Sequence, residues 1–193
     1  RQLGSGPVEV QLAVSRDGVH WKRYPRPAYV GIGEHGGDII HQAYLAQGMV
    51  RRGNEIWQYY FGEEAYHSSW RKDTKRAIYR VVQRVDGFVS ADSPYDRLGM
   101  IVTKPLVFNG NRLALNLDTG AAGYVQIGLL DGRGRPIEGY SIDDCVYING
   151  NFTDVETEWL RKGKDLSDLQ GQPVHVVIRT RGTKLYSMQF VQR

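Results

Sequence analysis

The sequence predicts an all-β protein in two parts. Three observations carry this. Apolar and polar residues alternate with a period of two in segment after segment, the pattern of strands with one buried face. Turn signals separate these segments, among them Asp17-Gly18, Asp86-Gly87, Asn109-Gly110 and Asp131-Gly132. The 193 residues include 12 tyrosines, four tryptophans and 23 glycines, a composition suited to pleated sheets joined by many turns. The one helical candidate is Leu166–Leu169, read as a single turn before Gly171-Gln172-Pro173.

Val8 to Val14 alternates strictly, with Val8, Val10, Leu12 and Val14 facing one way. Ser15-Arg16-Asp17-Gly18 reads as a hairpin turn, with Gly18 supplying a positive φ. Val19 to Arg23 returns as a second strand, and Trp21 is placed to cover the hairpin. Tyr29 to Ile40 reads as a glycine-rich loop; it lacks the Gly-Lys-Ser/Thr ending of a phosphate loop. His41 to Val50 is the next predicted strand. Arg51 to Asn54 turns the chain, and Glu55 to Gly62 is an aromatic strand. A polar loop, residues 63–75, leads to Arg76–Asp92. That stretch alternates for about ten positions, breaks at Asp86-Gly87 and resumes at Phe88. It marks the seam between a first domain, residues 1–92, and a second, residues 93–193. No spacer rich in Pro, Ser or Gly lies inside it, so a packed seam is expected rather than a flexible linker.

Beyond the seam, short strands are expected at Gly99–Thr103 and Leu106–Phe108, then longer ones at Asn111–Asp118 and Gly123–Leu130. Ile137–Ile142, Thr153–Leu160, Val174–Thr180 and Lys184–Val191 complete the series. Strands at this spacing predict an antiparallel β-sandwich.

Net charge is +4, but the 25 basic and 21 acidic residues are interspersed, which argues against a nucleic-acid stripe. No apolar run approaches the roughly 20 residues of a membrane span, and no secretory leader is legible. Cys145 stands alone, so neither a disulfide framework nor a cysteine-rich metal site is available; it reads as a buried structural thiol. No Gly-x-Ser-x-Gly elbow is present.

Leu12-Ala-Val-Ser-Arg-Asp-Gly-Val-His-Trp21 resembles the blade signature of five-bladed propeller glycoside hydrolases of the invertase and arabinanase type. Glu55–Gly62 looks like the second strand of the next blade. Arg84–Ser90, Leu113–Asn116, Ile137–Ser141 and Lys184–Ser187 together resemble the junction and C-terminal sandwich of bacterial proteins of that group. The resemblance covers nearly the whole chain and implies about one and a half β-propeller blades followed by the sandwich. Ala77–Arg84 would be the third strand of the blade begun at His41, and Phe88–Ser90 an outer strand or the lead into the sandwich. The resemblance further implies that the catalytic acids sit on earlier blades, so no residue here is assigned a catalytic role. The remainder of the propeller, upstream of Arg1, is then an expected partner. Secretion or periplasmic export is the expected location. The implied function is that of the C-terminal portion of a glycoside-hydrolase-like protein. A non-catalytic carbohydrate-binding module and a purely structural sandwich are the alternatives.

Antiparallel pairing of Ala43–Val50 with Ile56–Gly62 puts the start of the first strand beside the end of the second. Asp38, His41 and Gln42 then converge with Glu63, Glu64, Tyr66 and His67 on one edge of the sheet. Carboxylates, histidines and amides are the side chains that hydrogen-bond sugar hydroxyls, and an exposed ring such as Trp70 can stack on a sugar's C–H face. Asp38, His41, Gln42, Glu63, Glu64, His67 and Trp70 are therefore the candidate carbohydrate-binding residues. Asp38 with Glu63 or Glu64 also has the composition of a glycosidase carboxylate pair. Taken singly, each reads as an ordinary solvated loop residue, and only their convergence argues for more. Asp38, His41, His67 and Glu64 are acceptable metal ligands, but their spacing matches no known metal motif, and no cofactor is expected. Calcium near Asp143-Asp144 or Asp118 competes with ordinary turn hydrogen bonding, the stronger reading. Trp159 with Tyr140, Tyr147 and Tyr186 is either a platform on the sandwich or core, and core is the commoner fate.

Overall fold

The computed structural model describes residues 6–25, 27–69 and 73–193. The chain is all-β: every sheet is antiparallel and none closes on itself. It divides into two compact units, Arg1–Val85 and Asp86–Arg193.

The first unit begins with less strand than the alternation of Val8–Val14 predicts. Only β1 (Val14–Ser15) and β2 (Trp21–Lys22) pair around the expected turn. There the Asp17 carboxylate accepts the Val19 and His20 amides, at 2.9 and 2.7 Å, and Gly18 takes a φ of +73°. A two-residue ribbon leaves Val14 and Ser15 only half-buried, and Trp21 stays 65% exposed rather than covering the hairpin. The upstream valines are used elsewhere: Val8 bridges Gln42 in parallel and Val10 bridges Val30. The glycine-rich stretch is not a loop but a hairpin, β3 (Gly33–His35) and β4 (Asp38–Ile40), turned by Gly36 and Gly37 at φ +59° and +89°. Both values lie in the left-handed region that glycine enters without penalty.

The main sheet contains β5 (Gln42–Leu45), β6 (Val50–Arg52), β7 (Glu55–Glu63) and β8 (Arg76–Arg84). The single strand predicted at His41–Val50 is broken between β5 and β6, where Gly48 sits at φ +97°, and both pieces pair with β7. One face of this sheet is closed. Ala43 and Tyr60 pack there with Ile40 and Val30, and Tyr79 stacks on Tyr60 at 5.3 Å. Gly62 is required on this face, because a Cβ would stand 2.7 Å from the Tyr79 ring. The opposite face is open: Tyr44, Val50, Tyr59, Val82 and Ile78 are all exposed, Ile78 to 69%. Arg52 and Arg80 lie over the Trp57 ring on that side, at 4.6 and 3.9 Å.

The second unit holds β9 (Ala91–Ser93), β10 (Gly99–Val102), β11 (Arg112–Asp118), β12 (Tyr124–Asp131), β13 (Asn151–Glu156), β14 (Val174–Arg181) and β15 (Thr183–Val191). One sheet runs β10-β14-β12 and the other β13-β11-β15-β9. Both feed a single core. Leu113, Leu115 and Leu117 come from one sheet; Val125, Ile127, Leu129, Val174, Val176 and Ile178 come from the other. The expected 3-10 turn is present at Ser167–Leu169.

Of the predicted strands, Leu106–Phe108 is reduced to a single bridge from Leu106 to Val174, Ile137–Ile142 is absent and Thr153–Leu160 is cut short. Ile137–Ile142 is a turn, closed by the Tyr140 amide on the Ile137 carbonyl at 3.1 Å with Gly139 at φ +80°. β13 stops at Glu156, and Trp159 leaves the sheet to be fully buried, its indole N–H on the Ile127 carbonyl at 2.9 Å. Tyr140 is buried against it, edge-on at 5.2 Å. These two rings are core, not a surface platform.

Candidate functional site

The register of the main sheet sets the site. Gln42 stands opposite Glu63, and Glu63 stands opposite Arg76, so three strands contribute one polar row at the end of the sheet. The Glu63 carboxylate accepts from Arg76 Nε at 2.8 Å, Thr74 Oγ1 at 3.1 Å and Gln42 Nε2 at 3.4 Å. The buried Gln42 amide also donates to the Ala65 carbonyl at 2.6 Å and accepts from the Tyr44 hydroxyl at 2.8 Å. Tyr44 in turn meets His67 Nδ1 at 2.8 Å.

His41, just before β5, hydrogen-bonds through Nδ1 to the Glu64 carbonyl at 2.5 Å, and that acceptor fixes the proton on Nδ1. Its ring stacks on Tyr66 at 4.4 Å, and Tyr66 remains 45% exposed. Among the described residues, the Glu64 carboxylate accepts the Lys75 backbone N–H, at 3.3 Å.

Asp38, at the start of β4, is bridged by Lys75 Nζ at 3.0 Å and by the Tyr79 hydroxyl at 3.1 Å. The Lys75 hydrogen bond, then that from Tyr79, holds the Asp38 carboxyl below its usual range. The same contact raises the Lys75 ammonium, while burial raises the Tyr79 phenol. At neutral pH the trio is carboxylate, ammonium and phenol.

The arrangement sets carboxylate oxygens at one end of the sheet, held by internal donors from Gln42, Thr74, Lys75, Arg76 and Tyr79. A glycosidase acid must hold its proton near neutrality. Asp38 is shifted the other way, and Glu63 is tied to a guanidinium. Asp38 therefore does not supply the acid of such a pair. Trp70 lies outside the described residues.

Tyr44, Thr74, Lys75, Arg76 and Tyr79 were not singled out from the sequence, yet the last four hold the carboxylates and Tyr44 links Gln42 to His67. The signal was available for Arg76: pairing the start of the strand at Arg76 antiparallel to the end of the strand at Glu63 sets the two opposite. Lys75 and Tyr79 reach Asp38 across a hairpin that the glycine-rich stretch concealed.

Among the described residues, no group of three or more His, Cys, Asp or Glu is placed to hold a metal. Asp118 accepts the Gly120 amide, Asp144 accepts from Ser141, and Asp143 pairs with Arg179, each at 2.8 Å. Cys145 is buried, receives the Ile127 amide at 3.1 Å and has its thiol pushed up by burial to about 11, so it is no nucleophile. Comparison of the chain with protein-family models, curated proteins and solved structures finds no match.

Proposed function

We propose that the chain is the C-terminal portion of a glycoside-hydrolase-like protein acting on poly- or oligosaccharide. The polar edge of the first unit would position the sugar. The observation that carries this is the convergence of His41, Gln42, Glu63, Glu64 and His67 beside an exposed ring, Tyr66, that is stacked on His41. Sugar recognition needs both an apolar ring to meet C–H bonds and fixed acceptors for the hydroxyls. The internal hydrogen bonds of the row hold those acceptors in place before a ligand arrives, which lowers the entropic cost of binding.

The architecture supports the same reading. A sheet with one closed face and one open aromatic face suits a propeller blade, whose open side packs on a neighbouring blade. The partner on that face would be the remainder of the propeller. Two antiparallel sheets feeding one core suit the sandwich that follows. In this reading bond cleavage belongs to other blades, in keeping with the ionised state of Asp38.

The test is affinity electrophoresis of the chain through gels containing soluble polysaccharides, paired with a glycan array. Glu64→Ala and Tyr66→Ala remove groups that carry little of the fold, since among the described residues the Glu64 carboxylate accepts one long hydrogen bond, and Tyr66 is exposed. Both variants are expected to lose retardation by the polysaccharide that retards the parent chain. Unchanged mobility in both variants removes the site from the first unit.

A further inference from the structure

The second unit carries a groove of about 240 Å³ between the segment 146–149 and β13. We propose that this groove is a second carbohydrate-binding site, taking one neutral pyranose ring. The assignment rests on the carbohydrate reading above but on a different set of residues. The volume is below that of a drug-sized pocket and suits a single sugar ring.

One wall is the segment 146–149, the other is β13 and its continuation to Glu158. The Val146 amide donates to the Glu158 carbonyl at 2.9 Å, which ties the walls together. Tyr147 is 61% exposed, yet its ring is held edge-on to Tyr124 at 5.0 Å. The neighbouring Ile148 is pinned by two backbone hydrogen bonds to Val125, at 2.9 and 3.0 Å. The Asn149 amide is committed to the Gly123 carbonyl at 2.6 Å and to Thr119 Oγ1 at 3.2 Å. Phe152 lies across Gly150, where a Cβ would stand 2.7 Å from the ring. The groove is thus built from fixed aromatic surface, the kind of surface that meets a sugar's C–H face.

Polar groups stand beside it. Glu156 is held ionised, chiefly by a hydrogen bond from Arg193 at 2.8 Å, and Lys164 reaches it at 3.5 Å. Glu158 is exposed and makes no ion pair among the described residues, which leaves its carboxylate to accept from a ligand. Arg193 and Lys164 both face Glu156, so Glu158 is the charge left toward a ligand: it accepts hydroxyls from a neutral sugar and repels an acidic one.

The experiment is titration of the isotopically labelled full chain, followed by amide NMR. The probes are the methyl glycosides of glucose, galactose, mannose and xylose, with the methyl glycoside of glucuronic acid as the charged control. At least one neutral glycoside is expected to shift the amides of residues 146–158, and the glucuronide is not. Tyr147→Ala should weaken that binding about tenfold, and Glu158→Gln should weaken it with the remaining spectrum unmoved. Tyr66→Ala should leave it intact. The assignment is overturned if no neutral glycoside moves these amides, if Tyr147→Ala leaves the affinity unchanged, or if the glucuronide binds equally well. Binding that depends on Tyr66 alone refutes the groove and keeps the edge; binding that depends on Tyr147 alone does the reverse.

Discussion

In the second unit, leucines of β11 meet valines and isoleucines of β12 and β14, and both sheets turn their apolar faces to one another's side chains. In the first, Val30, Ile40, Ala43 and Tyr60 close one face of a four-stranded sheet and leave Tyr44, Tyr59, Ile78 and Val82 in the open on the other. Strands of nine residues occur in both units, β7 and β8 in the first and β15 in the second, so strand length does not separate them. What separates them is whether a second layer exists for each apolar face. Burial stabilises only when both partners are present. The second unit buries the apolar faces of both its sheets in one core, whereas the first leaves one face of its main sheet exposed.

The largest test of this contrast compares two tryptophans. Trp159→Ala removes a fully buried ring and its hydrogen bond to Ile127, and should cost about 3–5 kcal/mol in urea unfolding. Trp21→Ala removes a ring that is mostly solvated, and should change stability by no more than about 0.5 kcal/mol. Equal effects would mean that the first unit packs far more tightly than its exposed faces imply.

A middle-sized effect is expected inside the first unit's own small core. Gly62→Ala drives a methyl against Tyr79 and Ile40, whose nearest atoms stand at 2.7 and 3.1 Å. Overpacking of this kind costs about 1–3 kcal/mol. Near-ultraviolet circular dichroism should lose the signal of the Tyr60–Tyr79 stack, and a silent spectrum would show that the closed face is loose.

The smallest effect is a pH dependence confined to the second unit. Asp131 accepts the Arg135 amide at 2.9 Å and pairs with its guanidinium at 2.7 Å, which lowers the carboxyl from 3.8 to about 2. A depressed folded-state value gives stabilisation that is complete above 3.8 and lost as pH falls toward about 2. The difference in urea midpoint between the parent chain and Asp131→Asn should shrink over that window. A difference that stays constant with pH would assign the contribution to turn geometry instead of charge.

Much of this organisation was legible before any coordinates. Alternation located β7, β8, β11, β12, β14 and β15, because long strands with one buried face impose a period of two over many residues. Antiparallel geometry alone brought Gln42 to Glu63 and His41 to Glu64. The failures share a cause: they fall where tertiary contacts outweigh local pattern. Val8–Val14 alternates like a strand, but its valines are spent on bridges to Gln42 and Val30. Ile137–Ile142 was placed as a strand, yet Gly139 turns it. The glycines of residues 31–37 concealed a hairpin, since glycine marks a tight turn between strands as readily as a loop. Trp159 was placed on a strand, and the depth of the pocket beneath Ile127 could not be read from its neighbours.

The lone thiol of Cys145 has one more consequence. It is 2% exposed, and it sits in only one of the two units. A thiol reagent can reach it only when that unit opens, so the labelling rate is a clock for breathing of the second unit alone. Changes made in the first unit, Gly62→Ala included, advance the clock only if the two units open together. The chain thus carries its own single-site gauge of how far cooperativity extends along it.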